Sequence, residues 1–325
     1  MRLQKKRITE ITENFSGKNV LVIGDIMIDE YLSGRVSRLS PEAPVPIVDI
    51  KDEMTRFGGA ANVALNIKEL GCNAVLVGIM GYDRHAEIFK TLMKDHKIES
   101  GVLQSKTRPT TVKTRIIGDN QHIARVDREK ISYVNDEEQE SLKQSINSFF
   151  EKADAVILED YNKGVLSKAT IHYIIEQCNL KDIPVFVDPK FENFMEYKNV
   201  TVFKPNVKEA QQALARNFNS EKDVEEAGHQ LLKKLNSNSI LLTRGPKGLS
   251  LFEGNEVTHI PTQARNVADV SGAGDTVIST LAAAYIAGAS TREAAILANI
   301  AAGIVIEEVG IIPISRAKLL SVDND

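Results

Sequence analysis

The stretch richest in chemistry is Asp269-Val-Ser-Gly-Ala-Gly-Asp275-Thr276, which runs straight into the apolar, alanine-rich segment Val277–Ala287. Glycines just ahead of a helix let the backbone approach a bound group closely. The unpaired N–H groups of the first turn, with the helix dipole behind them, then make an anion site. A carboxylate at Asp275 can take a proton from an attacking hydroxyl while the amides of Gly272, Ala273 and Gly274 hold a transferring phosphoryl group. Aspartate is also a favoured helix cap, and the local pattern leaves both readings open.

Other polar groups fall where strands are expected to end. Lys204-Pro-Asn206-Val-Lys-Glu209 puts Asn206 and Glu209 on one helix face, a pair that suits a water-coordinated magnesium ion or, equally, a capping box. Asp25 and Asp29, with Gly58-Gly59 and Asn62, offer acidic and amide partners for vicinal hydroxyls beside a glycine pair that a sugar could lie against. The glycine pair could equally be a turn before a tightly packed helix. Arg35, Arg38, Lys113, Arg115 and Arg125 are basic, and Lys113 and Arg115 share one face of a strand. Such cations can hold a phosphate or be solvated surface charge. Asp160-Tyr-Asn-Lys163-Gly164, Asp188-Pro-Lys190 and Thr243-Arg-Gly245-Pro-Lys-Gly248 each follow an apolar run.

The elements that must position these groups alternate. Apolar runs at residues 18–25, 74–80, 155–158, 185–187, 200–203 and 240–243 read as buried strands. Helical stretches are expected near 59–70, 83–95, 136–152, 168–178, 207–216 and 222–235. Alternation of this kind predicts an α/β fold, a mostly parallel sheet with helices on both faces and ligands at the carboxyl ends of its strands. Residues 31–56 and 110–128 break the pattern with prolines, alternating runs and a hairpin signal at Gly118-Asp119-Asn120. They predict a small β lid inserted into one domain spanning 1–325. An exposed lid edge would be covered by pairing with a second copy, so a homodimer is expected.

Bulk composition excludes several classes. The chain has 325 residues, 42% hydrophobic and 26% charged, with a formal net charge of −4. That is ordinary for a globular domain and argues against nucleic acid as a partner. Cys72 and Cys178 form no metal-binding pattern and read as buried thiols. The basic start, Met1 to Arg7, is not followed by an apolar core, and no stretch reaches the ~20 apolar residues of a membrane span. A cytoplasmic location without membrane contact is the expectation.

The order of these motifs from N- to C-terminus, Gly-Asp with a second Asp, Gly-Gly-x-x-Asn, Asn-x-x-Glu, a Thr-x-Gly loop and Gly-Ala-Gly-Asp, resembles the ribokinase/PfkB family of carbohydrate kinases over about residues 18–310. The resemblance implies a ribokinase-like fold, ATP and Mg2+, with Asp275 as base and Gly272, Ala273 and Gly274 as the anion hole. It implies Asn206 and Glu209 on the metal, Asp25, Asp29, Gly58, Gly59, Asn62, Asp160 and Lys163 near the sugar, and Lys190, Thr243, Gly245, Gly248 and Asn299 near the nucleotide. Ser37 to Pro46, Arg108 to Arg115, Asp160 to Leu166 and Val187 to Lys190 are similar to the family's branch acting on D-glycero-β-D-manno-heptose 7-phosphate. That likeness implies phosphorylation of the anomeric hydroxyl to a 1,7-bisphosphate for ADP-heptose and lipopolysaccharide core synthesis. A phosphorylated sugar needs cations that a free sugar does not, which points to Arg38, Lys113 and Arg115 for the 7-phosphate. Glu159 and Phe191-Glu192 depart from the branch pattern. A nucleotidylyltransferase fused to such kinases is expected on another protein. Other family kinases, acting on fructose 6-phosphate, tagatose phosphate or a free sugar, share the base. An inactive sugar-phosphate sensor would be expected to lose Asp275 or the Asn206/Glu209 pair.

Overall fold

The computed structural model describes residues 3–262, 267–308 and 310–321. In chain order the strands are β1 (Asn19–Gly24), β2 (Ile26–Leu39), β3 (Pro46–Gly59), β4 (Asn73–Val77), β5 (Ile79–Gly81), β6 (Glu99–Ser100), β7 (Leu103–Ser105), β8 (Val112–Gly118), β9 (Gln121–Arg128), β10 (Ala155–Glu159), β11 (Val185–Asp188), β12 (Val202–Phe203), β13 (Ser239–Thr243), β14 (Leu249–Glu253) and β15 (Glu256–Ile260). The helices are α1 (Lys5–Glu13), α2 (Ala60–Leu70), α3 (Arg84–Asp95), α4 (Asp136–Phe150), α5 (Lys168–Leu180), α6 (Val207–Ala213), α7 (Glu221–Leu235), α8 (Ala273–Ile286), α9 (Thr291–Val305) and α10 (Arg316–Leu320).

Among the described residues, nine strands make the main sheet, in the order β15-β14-β13-β12-β11-β10-β1-β4-β6. It is parallel from β6 to β13 and antiparallel at the β13-β14-β15 end. β1 is central, with Leu21 opposite Val75 on one side and Val156 on the other. Its unbroken apolar run is what a strand buried on both faces requires. One face carries α2, α8 and α9, the other α4, α5 and α7, each over its own apolar cluster. Alanines on both α2 and α8 let these helices pack closely. Polar bonds cross the same seam: Ser279 Oγ donates to Val63 O at 3.2 Å, and Thr276 Oγ1 donates to Asn66 Oδ1 at 3.2 Å.

A second sheet, in the order β3-β2-β8-β9, is built from the two segments that broke the alternation. Its strands extend beyond the expected bounds, because β2 begins two residues after β1 ends and β3 runs straight into α2. Asp119 and Asn120 take φ of 49° and 63°, the left-handed pair that a two-residue hairpin between twisted strands demands. The expected strand at 74–80 is divided at Gly78, where a Cβ would lie 2.7 Å from Gly24 O. β15 was not anticipated, since polar residues interrupt its apolar ones and it shows no continuous apolar run. α1 and α9 were also unanticipated. Cys72 and Cys178 are buried free thiols, as expected. Among the described residues no helix is long and apolar enough to cross a membrane.

Candidate active site

Three buried carboxylates meet at the carboxyl end of the main sheet. Glu159 ends β10 and is the register partner of Asp188, which ends β11; Asp275 lies in the first turn of α8. One oxygen from each lies within 4.8 Å of the others. Lys204, just beyond β12, pairs with Asp188 at 2.7 Å. Burial raises the Glu159 carboxyl well above its ordinary range, and the nearby Asp188 and Asp275 charges push it further. Its Oε2 is buried with no hydrogen-bond partner. Burial lifts Asp275 to about 6, with the Asn62 bond pulling it down, Asp188 pushing it up and Lys204 pulling it down again. For Lys204 burial alone would lower the ammonium, but Asp188 holds it above its usual value.

The capping reading of Asp275 does not hold. Gly272, at φ 79°, is the residue before α8, and no side chain caps the helix. The Asp275 carboxylate turns away from its own backbone. Its Oδ2 accepts from Asn62 Nδ2 at 2.6 Å and its Oδ1 from Tyr161 Oη at 3.3 Å. Ala273 N–H is engaged with Val270 O at 3.3 Å. The N–H groups of Gly274 and Asp275 have no backbone acceptor among the described residues, as first-turn amides do. A Cβ on Gly274 would sit 3.6 Å from both Asp188 Oδ2 and Lys204 Nζ, so these amides front the acidic cluster.

On the side of the small sheet, register brings Arg56, Asp29, Lys113 and Asp127 into one cross-strand row and Met54, Tyr31, Arg115 and Arg125 into the next on the same face. Asp29 is ion-paired to Arg115. Gly58 leaves room for that carboxylate, since a Cβ there would lie 2.2 Å from Asp29 Oδ2. Lys113 Nζ lies 5.7 Å from the centre of the Tyr161 ring and Lys190 Nζ 5.1 Å from it. Burial, and then Lys163, lower the Lys113 ammonium. Arg38 is not gathered here: it is exposed, seven residues past Tyr31 on β2, roughly 20 Å along an extended strand. Arg35 is likewise exposed, and Arg125 pairs with Asp127 at 2.9 Å.

Several expected sugar contacts are engaged within the fold. Asp25 is 1% exposed and its carboxylate accepts from the backbone of Tyr161 (2.8 Å), Lys163 (2.9 Å) and Val165 (3.1 Å). Its backbone carbonyl leaves no room for a side chain at Gly59, where a Cβ would be 2.4 Å away. Asp160 accepts from Tyr197 Oη at 2.7 Å and Asn162 N at 2.8 Å, and burial followed by Asp25 pushes it up to about 6. Lys163 pairs with Glu129 at 2.8 Å. These residues shape the 160–165 loop.

On the other side, Asn206 and Glu209 form a reciprocal capping box at α6, with bonds of 2.9 and 2.8 Å. The remaining Glu209 oxygen pairs with Lys190 at 2.8 Å. This pair is therefore engaged as a cap, whereas in the acidic cluster Glu159 Oε2 has no hydrogen-bond partner. Thr243 ends β13 beside Asn206, followed by a short 3-10 turn at Gly245–Lys247. Gly248, at φ 82°, faces Ile260 O, where a Cβ would be 2.1 Å away. Asn299 on α9 donates to Pro261 O at 2.8 Å.

The sequence matches the pfkB family carbohydrate kinase pattern over residues 18–317. The chain belongs to this family. As a pfkB carbohydrate kinase it has a ribokinase-like fold, and membership implies ATP as phosphoryl donor. It is 36% identical over 320 residues to the bifunctional protein HldE of Geobacter sulfurreducens and 41% identical over 302 residues to that of Methylobacillus flagellatus. Those matches cover 98% and 92% of this chain but 65% and 62% of the relatives, so the chain spans less than two thirds of their length. Among solved structures, phosphofructokinase-2 from Escherichia coli in complex with potassium superposes with a TM-score of 0.78 at 17% identity, covering 93% of this chain and 96% of the other. Ribokinase from Arabidopsis thaliana complexed with ribose and ATP gives 0.72 at 20% identity, covering 95% and 100%.

Four residues of the site escaped selection from sequence: Glu159, Tyr161, Asp188 and Lys204. Their signal was positional. In a parallel sheet, polar residues at or just past the last position of adjacent buried strands converge on one edge.

Proposed function

We propose that this pfkB kinase moves the γ-phosphoryl group of ATP to the anomeric hydroxyl of D-glycero-β-D-manno-heptose 7-phosphate, giving the 1,7-bisphosphate used for ADP-heptose and lipopolysaccharide core synthesis. The observation that carries a kinase reaction at this point is the Asp275 carboxylate, turned away from any capping role and held by Asn62 and Tyr161 beside first-turn amides that have no backbone acceptor among the described residues. The heptose phosphate is favoured by the similarity to HldE proteins and by Lys113 and Arg115 on the site-facing side of the small sheet.

In this reading the acceptor hydroxyl gives its proton to Asp275 Oδ1. The Gly274 and Asp275 amides receive the negative oxygens of the transferring group, and Lys190 and Lys204 add positive charge behind them. Arg115 and Lys113 orient the sugar phosphate, and Asp29 fixes Arg115. The donor set fits a hard divalent cation, because a buried Glu159 oxygen without a partner lies beside Asp188. Magnesium, when bound, would neutralise charge on the phosphate oxygens. Glu159 and Asp188 would hold it, with Asn206 and Glu209 acting only through water.

The small sheet is read as a lid. It exposes Leu39, Ile50, Met54, Ile123 and Val126, and β9 is an unpaired edge, which favours a homodimer through this sheet. Solution scattering at working concentration should give twice the chain mass; a monomer contradicts the dimer.

The substrate is tested by a coupled ADP-release assay comparing heptose 7-phosphate with fructose 6-phosphate, tagatose 6-phosphate and free sugars. The heptose phosphate should have the highest kcat/KM. Equal or better turnover of fructose 6-phosphate removes the heptose assignment while leaving the kinase in place.

A further inference from the structure

Tyr161 has its side chain between Lys113 of the small sheet and Lys190 at the end of the main sheet, and it bonds the Asp275 carboxylate. Its backbone N–H is held from beneath by Asp25 Oδ2 at 2.8 Å, and Arg108 ties the same loop down through Lys163 O at 3.0 Å. The backbone that carries the ring is therefore held by bonds that do not involve its hydroxyl. Around that ring stand two ammonium groups from different elements, Lys113 of β8 at 5.7 Å and Lys190 beyond β11 at 5.1 Å. Lys190 has Glu209 as a partner, whereas Lys113 makes no ion pair among the described residues. Two cations near one aromatic ring are favoured by its quadrupole.

The hydroxyl completes the arrangement. Asp275 receives two unequal hydrogen bonds, a short one from Asn62 at 2.6 Å and a long one from Tyr161 at 3.3 Å. The short bond holds the carboxylate in place. The long one is the weaker of the two and marks the oxygen, Oδ1, that an incoming hydroxyl can reach by taking the phenol as its own partner. The Tyr161 hydroxyl is the donor in this pair, because it is Asp275 Oδ1 that accepts.

We propose that Tyr161 is a positioning residue for phosphoryl transfer: its hydroxyl directs the acceptor oxygen onto Asp275 Oδ1, and its ring stands between Lys113 on the sugar-phosphate side and Lys190 on the side of the transferring group. The proposal rests on the kinase reading given above. It is separable from that reading, because Asp275 could act as base with the acceptor held by the small sheet alone.

The test uses the full chain and whichever sugar phosphate turns over fastest in the ADP assay. Tyr161→Phe removes the hydroxyl and keeps the ring and all backbone bonds. It should lower kcat about 10- to 100-fold, the scale of a misplaced reacting group, with KM for sugar phosphate and ATP within about twofold and an unchanged melting temperature. Tyr161→Leu removes the ring as well and should add a severalfold rise in both KM values. A Phe variant with wild-type kcat overturns the proposal, as does one whose loss lies wholly in KM or tracks a lowered melting temperature. Asp275→Asn, assayed in parallel, separates the two claims. If it retains the wild-type rate, the base assignment itself falls. If it is inactive while Tyr161→Phe is fully active, only the positioning role falls.

Discussion

Replacing Asp275 by Asn should make the protein slower and more heat-resistant at once. The buried carboxyl titrates at about 6 against an ordinary value of 3.8, a shift of about two units, or roughly 3 kcal/mol at 1.36 kcal/mol per unit. The folded state binds this proton more tightly than the unfolded chain does. Stability from this group is therefore complete below the unfolded value and is lost as pH rises through 3.8 to about 6. An amide carries no such penalty. It weakens the bonds from Asn62 and Tyr161, by about 1–2 kcal/mol for charge-assisted pairs. A net gain of about 1–2 kcal/mol remains above pH 7, which for a chain of this size is about 1.5–3 °C in melting temperature. The gain should disappear near pH 4. Loss of the base should lower kcat by about 10²–10⁴. Scanning calorimetry at pH 8 and pH 4, with ADP release at pH 8, tests both halves. A variant with wild-type turnover, or one less stable than wild type at pH 8, refutes the reasoning.

The remaining predictions concern pH and glycine. Since burial raises Asp275 to about 6, kcat should fall about tenfold per unit below pH 6 and be level above pH 7; a flat profile down to pH 5 excludes this carboxylate as the base. Gly58→Ala places a Cβ 2.2 Å from Asp29 Oδ2 and must dislodge that carboxylate from Arg115. KM for the sugar phosphate should rise severalfold, with a loss of about 1–3 kcal/mol in urea unfolding. Gly228→Ala on α7 meets the Phe252 ring at 2.2 Å, far from the acidic cluster. It should destabilise by a similar amount, about 1–3 kcal/mol, while kcat of the folded enzyme stays unchanged; a more stable variant would show that the ring yields freely.

Much of the fold was legible because buried parallel strands are written as apolar runs and the helices between them carry caps. Ser167, Asn206 and Ser220 each sit where the helix starts. The hairpin at Asp119-Asn120 was legible for the same local reason. The site was less so. Asp275, Asn62, Lys113 and Arg115 stood out by residue type and spacing, and the structure gathers them. Asp25 and Asp160 stood out equally, yet their carboxylates accept backbone N–H groups, and nothing local distinguishes a carboxylate that meets a ligand from one that secures a loop. Glu159 belongs to the converse case. It ends an apolar strand like any terminal polar residue, and only the register of β10 against β11 puts it beside Asp188. Arg38 shares a strand with Asp29, but strand distance, invisible in composition, takes it away from the centre.

The junction of the two sheets has a mechanical consequence. β1 gives way to β2 across Asp25 alone, and β3 gives way to α2 at Gly59, with Ala60 N–H donating to Asp25 O at 3.0 Å. The small sheet thus has no slack linker on either of these strands, and any tilt of it must be absorbed by rotation about these two residues. Gly59, at φ 57° and ψ −138°, has torsional freedom that a side chain would remove. The Asp25 carboxylate meanwhile grips the loop that carries Tyr161. Pivot and loop are geared to one residue, so a swing of the sheet would be transmitted to the aromatic ring without crossing the core. Exchanging the β2-β3 hairpin between residues 30 and 57 would keep that gearing, whereas an exchange that included Asp25 would disconnect it.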